Sequence, residues 1–307
     1  MASSLAAPDT VVVGEHKWTW PLLAVPGVVW LILLFLVPFY GILAVAMGRR
    51  HPIFLSPLPE WNPLRWDTAA FGTVFGDLFG GRLGVIALRT IVYVAIASAI
   101  CVALGYPVAY FVSRRAGRWR GPLLVALLAP FWINYLMRMM SWVNLLSPDG
   151  QVNQFLGWLG GSQVDWLVGR PSTVILGMAY GYIPFFVLPL YAALDRIDNS
   201  TLEAARDLGA SPLQTFRRVT LPLSKQGIMA GLVIIMLPMF GDYYTPNLLS
   251  GSPRTRLYGN EIEEFITQST SQGGRGAALT VVLMAFVALL MAYYLVTVSR
   301  AAKEAQR

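Results

Sequence analysis

Six long apolar runs alternate with polar connections along the chain, and this pattern predicts an all-α integral membrane protein with six transmembrane helices. The runs cover about residues 22–47, 85–112, 122–143, 172–194, 227–249 and 277–298, within a single domain spanning 1–307. Each exceeds the roughly 20 residues that a helix needs to cross a bilayer core. The first run is too long for the core of a signal peptide and lacks a small-residue cleavage site, so an uncleaved span is expected. Pro26 and Pro38 should kink it. Residues 48–84, rich in Pro and Trp, are expected to form an ordered loop at an interface.

The polar connection 195–226 has its own helical pattern. Ser200 followed by Glu203 predicts a capping box that starts a first helix, and Gly209 supplies a left-handed residue that ends it. Ser211 with Gln214 predicts a second box, with Pro212 where a missing N–H does no harm. Arg217 and Arg218 are expected to close the second helix at its negative pole. Leu202, Ala205 and Leu208, then Leu213, Phe216 and Val219, give each helix one apolar edge that a solvated loop does not need. A partner surface is the natural recipient.

Composition supports the membrane assignment: 56% of the 307 residues are hydrophobic and 13% charged, with a mean hydropathy of +0.57. The formal charge of +7 does not imply nucleic acid, because the basic residues flank the apolar runs instead of lining an amphipathic face. Arg114, Arg115, Arg118 and Arg120 follow the second run, and Arg196, Arg206, Arg217, Arg218 and Lys225 follow the fourth. With Lys17, Arg300, Lys303 and Arg307, they put both termini and the 195–226 loop in the cytoplasm, against the local bias of Arg49 and Arg50. The single cysteine, Cys101, lies inside an apolar run as a buried thiol.

The stretch Glu203-Ala204-Ala205, then Asp207, Gly209 and Leu221-Pro222, resembles the EAA loop of permease subunits in bacterial ATP-binding-cassette importers that depend on a separate binding protein. The likeness runs over most of the chain. Gly105-Tyr106-Pro107, Pro130-Phe131-Trp132 with Arg138 and Trp142, Gly150 with Asn153, Gly241-Asp242-Tyr243 and Gly259-Asn260 are similar to the spermidine/putrescine branch. The resemblance implies a cytoplasmic helix-turn-helix that couples to ATPase subunits through Glu203, Ala204, Ala205, Asp207, Gly209 and Pro222. It also implies a second homologous permease, an extracytoplasmic binding protein and a bacterial inner-membrane location. Cofactors are expected only on the partner: the chain has no G-x-x-x-x-G-K-[ST] cradle, so ATP and Mg would be bound by the ATPase.

The candidate chemistry is therefore that of a pathway, and no catalytic or metal site is expected. His16 and His51 are the only histidines, and both flank the first run. Charges inside spans are costly and usually functional, which singles out Arg138 and Asp242; Arg89 is expected to snorkel outward. Counted along straight helices, Arg138 and Asp242 both sit roughly 23 Å from the cytoplasmic ends, close enough to pair. Trp132, Tyr135, Tyr180 and Tyr243 are candidate ring faces for a cation. These residues leave other small solutes open, such as an aminophosphonate or a metal-binding organic ligand. A stand-alone channel or secondary transporter is the competing class, and it would have no use for the Glu203–Pro222 pattern.

Overall fold

The computed structural model describes residues 19–54, 56–267 and 272–305, with side chains from 23 to 300. His16, Lys17 and Arg307, and the side chain of Lys303, lie outside that range. Helix α1 (Thr19–Leu31) continues through a π turn (Ile32–Leu36) into α2 (Val37–Ala46). The turn answers Pro38, which has no N–H for the carbonyl of Leu34 and would press its ring against it in an unbroken α-helix. Val37 N–H instead reaches back five residues to Ile32 O.

The expected loop 48–84 is more structured than its composition suggests. It holds a hairpin of β1 (Arg49–Arg50) and β2 (Pro57–Leu58), with Arg49 opposite Leu58, and the helix α3 (Ala69–Gly80). Tyr40 donates to the carbonyl of Trp61, and Trp66 Nε1 donates to Glu60 O at 2.9 Å, which ties the loop to α2.

Then follow α4 (Arg82–Arg114), α5 (Arg120–Leu128), α6 (Tyr135–Leu146), α7 (Gln151–Trp158) and α8 (Pro171–Asp195). The polar connection carries α9 (Asn199–Asp207), α10 (Pro212–Thr215), a second π turn (Phe216–Thr220) and α11 (Leu221–Leu223). The chain ends with α12 (Lys225–Phe240), α13 (Tyr244–Leu249), α14 (Tyr258–Thr267) and α15 (Gly273–Ala305).

Four stretches are single helices long and apolar enough to cross a membrane: Leu23–Ala46, Arg82–Arg114, Pro171–Asp195 and Gly273–Arg300. The other two expected spans are broken. Residues 117–132 and 135–158 meet at 87°; the 58° bend between 212–223 and 225–240 falls at Ser224, ahead of the run expected over 227–249. The straight run expected over 122–143 fails because Pro130 sits in a 3-10 turn (Ala129–Trp132), Ile133 is extended, and Asn134 caps a new helix by accepting Leu136 N–H at 2.8 Å. The run expected over 227–249 stops at Phe240, and Asp242 lies in the turn before α13.

The core is where α4, α8 and α12 pack. Phe186 of α8 is fully buried between two glycines: a Cβ at Gly105 of α4 would lie 2.7 Å from its Cδ1, and one at Gly231 of α12 2.7 Å from its Cδ2. One turn earlier, a Cβ at Gly227 would meet the Cβ of Ala193 at 2.4 Å. The small-xxx-small pair Gly227/Gly231 therefore lets α12 lie directly against α8, the close approach that substitutes for hydrophobic drive between helices in lipid.

Candidate functional site

The α9–α11 helix pair is gripped from behind and bare in front. Leu202, Thr215 and Thr220 are buried, and the Phe216 ring meets Tyr106 and Tyr110 of α4 edge-on at 5.6 and 5.8 Å. Tyr106 also bonds Ser224 at 3.0 Å. Arg114 donates to the carbonyls of Leu194 and Ile197 and to Asn199 Oδ1 at 2.7 to 3.1 Å, covering the end of α8 and the start of α9. Glu203, Ala204, Asp207, Gly209 and Pro222 face outward and Ala205 is half-buried. Leu208 is 90% and Leu213 66% exposed.

Local detail separates expectation from outcome. Gly209 has φ +84°, and the bonds Gly209 N→Arg206 O and Ala210 N→Ala205 O close α9 as a Schellman motif. Ser211 and Gln214 form the expected reciprocal box. Ser200 does not: α9 begins at Asn199 after Asp198, so Ser200 already lies in the first turn. Arg217 and Arg218 do not end the second helix, which runs through the π turn into α11 because Pro222 is accommodated as Pro38 is. The supposed single apolar edge is split. Residues six apart in an α-helix differ by about 120° around the axis, so Leu202 points inward while Leu208 points out.

Inside the membrane region, Arg138 and Asp242 form no ion pair; the straight-helix depth count for Arg138 fails at the break at Ile133-Asn134, while α12 carries the count for Asp242 unbroken to Phe240. Asp242 is buried, and its carboxylate accepts Thr245 N–H at 3.1 Å and Thr245 Oγ1 at 2.5 Å. Tyr135 is hydrogen-bonded to the same Thr245 hydroxyl. With the threonine proton given to Asp242, the Tyr135 O–H is the donor of this second bond. Arg138 stands on the other side of the Tyr135 ring. Its guanidinium carbon lies 4.2 Å from the ring centre of Phe131, 5.4 Å from that of Tyr135 and 6.0 Å from that of Tyr180.

Not every candidate ring joins this cluster. Tyr180 does, and it also packs on Trp142 at 5.2 Å. Tyr243 stacks on Tyr244 at 4.1 Å, and Tyr244 reaches Tyr135 at 6.5 Å. Trp132 is 79% exposed and points away. Arg89 donates to the carbonyls of Pro253 and Arg256. Thr245 and Phe131 are the members that sequence reasoning left out of the site. The Asp-x-x-Thr spacing was the available signal for Thr245, since it is the reach of a carboxylate to an orphan N–H at a helix start.

Two asparagines brace the surroundings. Asn260 donates to Tyr243 O and Asn247 Oδ1 and accepts Leu257 N–H, while a Cβ at Gly259 would strike Gly241 O at 2.5 Å. Asn153 bonds Ser147 O, both backbone groups of Val164 and Trp166 Nε1, which fixes the turn between α6 and α8.

The class of the chain is that of a transport system's membrane subunit. The family described as binding-protein-dependent transport system inner membrane component matches residues 71–303, and the chain belongs to it. The spermidine/putrescine transport system permease protein PotB of Haemophilus influenzae is 34% identical over 269 residues, covering 86% of this chain and 89% of that protein. PotB of Escherichia coli (strain K12) is 39% identical over 198 residues, 64% of this chain and 72% of that one. Among solved structures, a bacterial alginate ABC transporter in complex with an alginate pentasaccharide-bound periplasmic protein shares the fold, with a TM-score of 0.71 at 18% identity over 91% of this chain and 93% of the other.

Proposed function

We propose that this chain is one of two permease subunits of an ATP-driven importer that carries polyamines of the spermidine/putrescine class, delivered by an extracytoplasmic binding protein. The observation that carries the reading is the 34% identity to a spermidine/putrescine permease along 86% of this chain. Both termini and the α9–α11 loop face the cytoplasm in this reading, and the exposed Leu208 and Leu213 enter a groove on the ATPase. ATP and Mg stay on that partner. Closure of paired ATPases pushes the helix pair, and the Phe216 grip on Tyr106 and Tyr110 passes the push to α4. The pathway candidates are Asp242, Tyr243, Tyr180, Trp132, Tyr135 and Arg138, with ring faces and one carboxylate at separated points so that a flexible cation is held loosely enough to leave.

The test is uptake of radiolabelled spermidine into proteoliposomes holding this chain with its ATPase, second permease and binding protein. ATP-dependent uptake is expected. Uptake of another solute but not of polyamines defeats the substrate assignment, and ATP-independent uptake by this chain alone defeats the importer assignment.

A further inference from the structure

We infer that the ring faces of Phe131, Tyr135 and Tyr180 form a cation site, and that the Arg138 side chain is its tethered occupant, which an ammonium or guanidinium group of the substrate must displace. The inference rests on the polyamine reading above and adds to it a residue that sets affinity.

The first support is how Arg138 is held. Among the described residues its Nε and Nη1 are buried with no hydrogen-bond acceptor, and no carboxylate lies within ion-pair distance. Arg114 shows what a structural arginine of this chain looks like: three oxygen acceptors within 3.1 Å. Arg138 instead has three rings within 6.0 Å, so the attraction that holds its charge is that of π faces. Such faces do not distinguish a tethered cation from a free one.

The second support is that the rings are prepared for a positive charge. Tyr135 donates its hydroxyl proton toward Thr245, which donates to Asp242, and donation of this kind leaves the phenol ring richer in electrons. The rings also hold one another: Phe131 and Tyr180 are 5.8 Å apart, and Phe131 meets Phe185 edge-on at 6.2 Å.

The third support is space. A cavity of about 410 Å³ adjoins the guanidinium, lined among others by Ile133, Met137, Ser141, Trp142 and Gln151. Arg138 has room to swing off the rings there, and the Ser141 hydroxyl and Gln151 amide are oxygen acceptors for it. A linear amine fits this arrangement because it can offer one ammonium to the rings while the rest of the chain lies along the apolar wall. An anionic solute has no reason to find the rings attractive.

The test is equilibrium binding of radiolabelled spermidine to the purified intact importer, trapped with vanadate and with the binding protein omitted. Arg138→Gln and Arg138→Met remove the competing charge, and either should bind spermidine roughly fivefold to thirtyfold more tightly than the unaltered complex. Arg138→Lys keeps a tethered cation and should stay near the unaltered value. Adding Phe131→Leu should weaken binding in the Arg138→Gln background. Equal or weaker binding by the neutral variants overturns the proposal, and so does failure of both neutral variants to assemble, which would make the arginine a structural cation. Absence of spermidine binding in every form, alongside ATP-driven uptake of a different solute, overturns the polyamine reading itself.

Discussion

Arg138 and Asp242 communicate through the Tyr135 ring and the Thr245 hydroxyl and not by direct contact: the cation lies 5.4 Å from the ring centre, and the carboxylate ends the hydrogen-bond relay that the phenol begins. A relay of this kind has a direction that an ion pair lacks. Exchanging the charges in Arg138→Asp with Asp242→Arg would set a guanidinium against the two donors of Thr245 and a carboxylate against ring faces. Uptake measured in the double variant is expected to stay lost. Full recovery would mean that the two residues pair during the cycle.

Thr245 is the joint of that relay. Thr245→Val leaves both the buried Asp242 oxygen and the Tyr135 hydroxyl without their partner, at a cost of about 1–3 kcal/mol. Thermal unfolding of the purified complex should register this loss, while Thr245→Ser keeps the hydroxyl and should recover most of it.

The helix pair offers a separate test. A Cβ at Gly209 would meet nothing within 4 Å, so the penalty for Gly209→Ala is purely that of a left-handed backbone, about 1 kcal/mol. Leu208→Ala with Leu213→Ala removes two largely exposed side chains, so the permease should insert and fold normally. Co-purification with the ATPase is the measurement, and it should fall for both variants. Undiminished ATPase recovery from the leucine variant would move the docking surface elsewhere.

Phe186 fills the space between two glycines on different helices. Phe186→Ala should destabilise the α4–α8–α12 core by about 3–5 kcal/mol through cavity formation. Gly231→Val should also destabilise it, by forcing α12 off α8. Denaturant titration of the complex distinguishes both from Leu64→Ala, an exposed site where little change is expected.

Orientation is checked by labelling. Arg118→Cys and Ser162→Cys sit at exposed positions before α5 and after α7, and native Cys101 is fully buried. A membrane-impermeant maleimide applied from outside should reach position 162 and miss 118. The reverse pattern would place the α9–α11 loop outside.

Hydrophobic runs made the four straight spans and the capped turn at Gly209–Gln214 readable, because run length and local capping are properties of contiguous sequence. The two broken spans were not readable from hydropathy: Ile133-Asn134 and Gly241-Asp242 interrupt helices without interrupting apolarity. Tyr135 and Thr245 are 110 residues apart, and only folding around the breaks brings them together. The seating of Phe186 between Gly105 and Gly231 was not legible, since nothing local to α8 marks which ring enters the groove.

The two π turns, at 32–36 and 216–220, each hold one residue more than an α-helix would use for the same turn. That surplus residue fixes the phase of everything beyond it. Winding Phe216–Thr220 at α pitch with all five residues kept would rotate α10 relative to α11 by about 100°. Leu213 would then leave its outward bearing while every side chain kept its chemistry. The register of the helix, as much as its sequence, decides which side chains this chain holds outward.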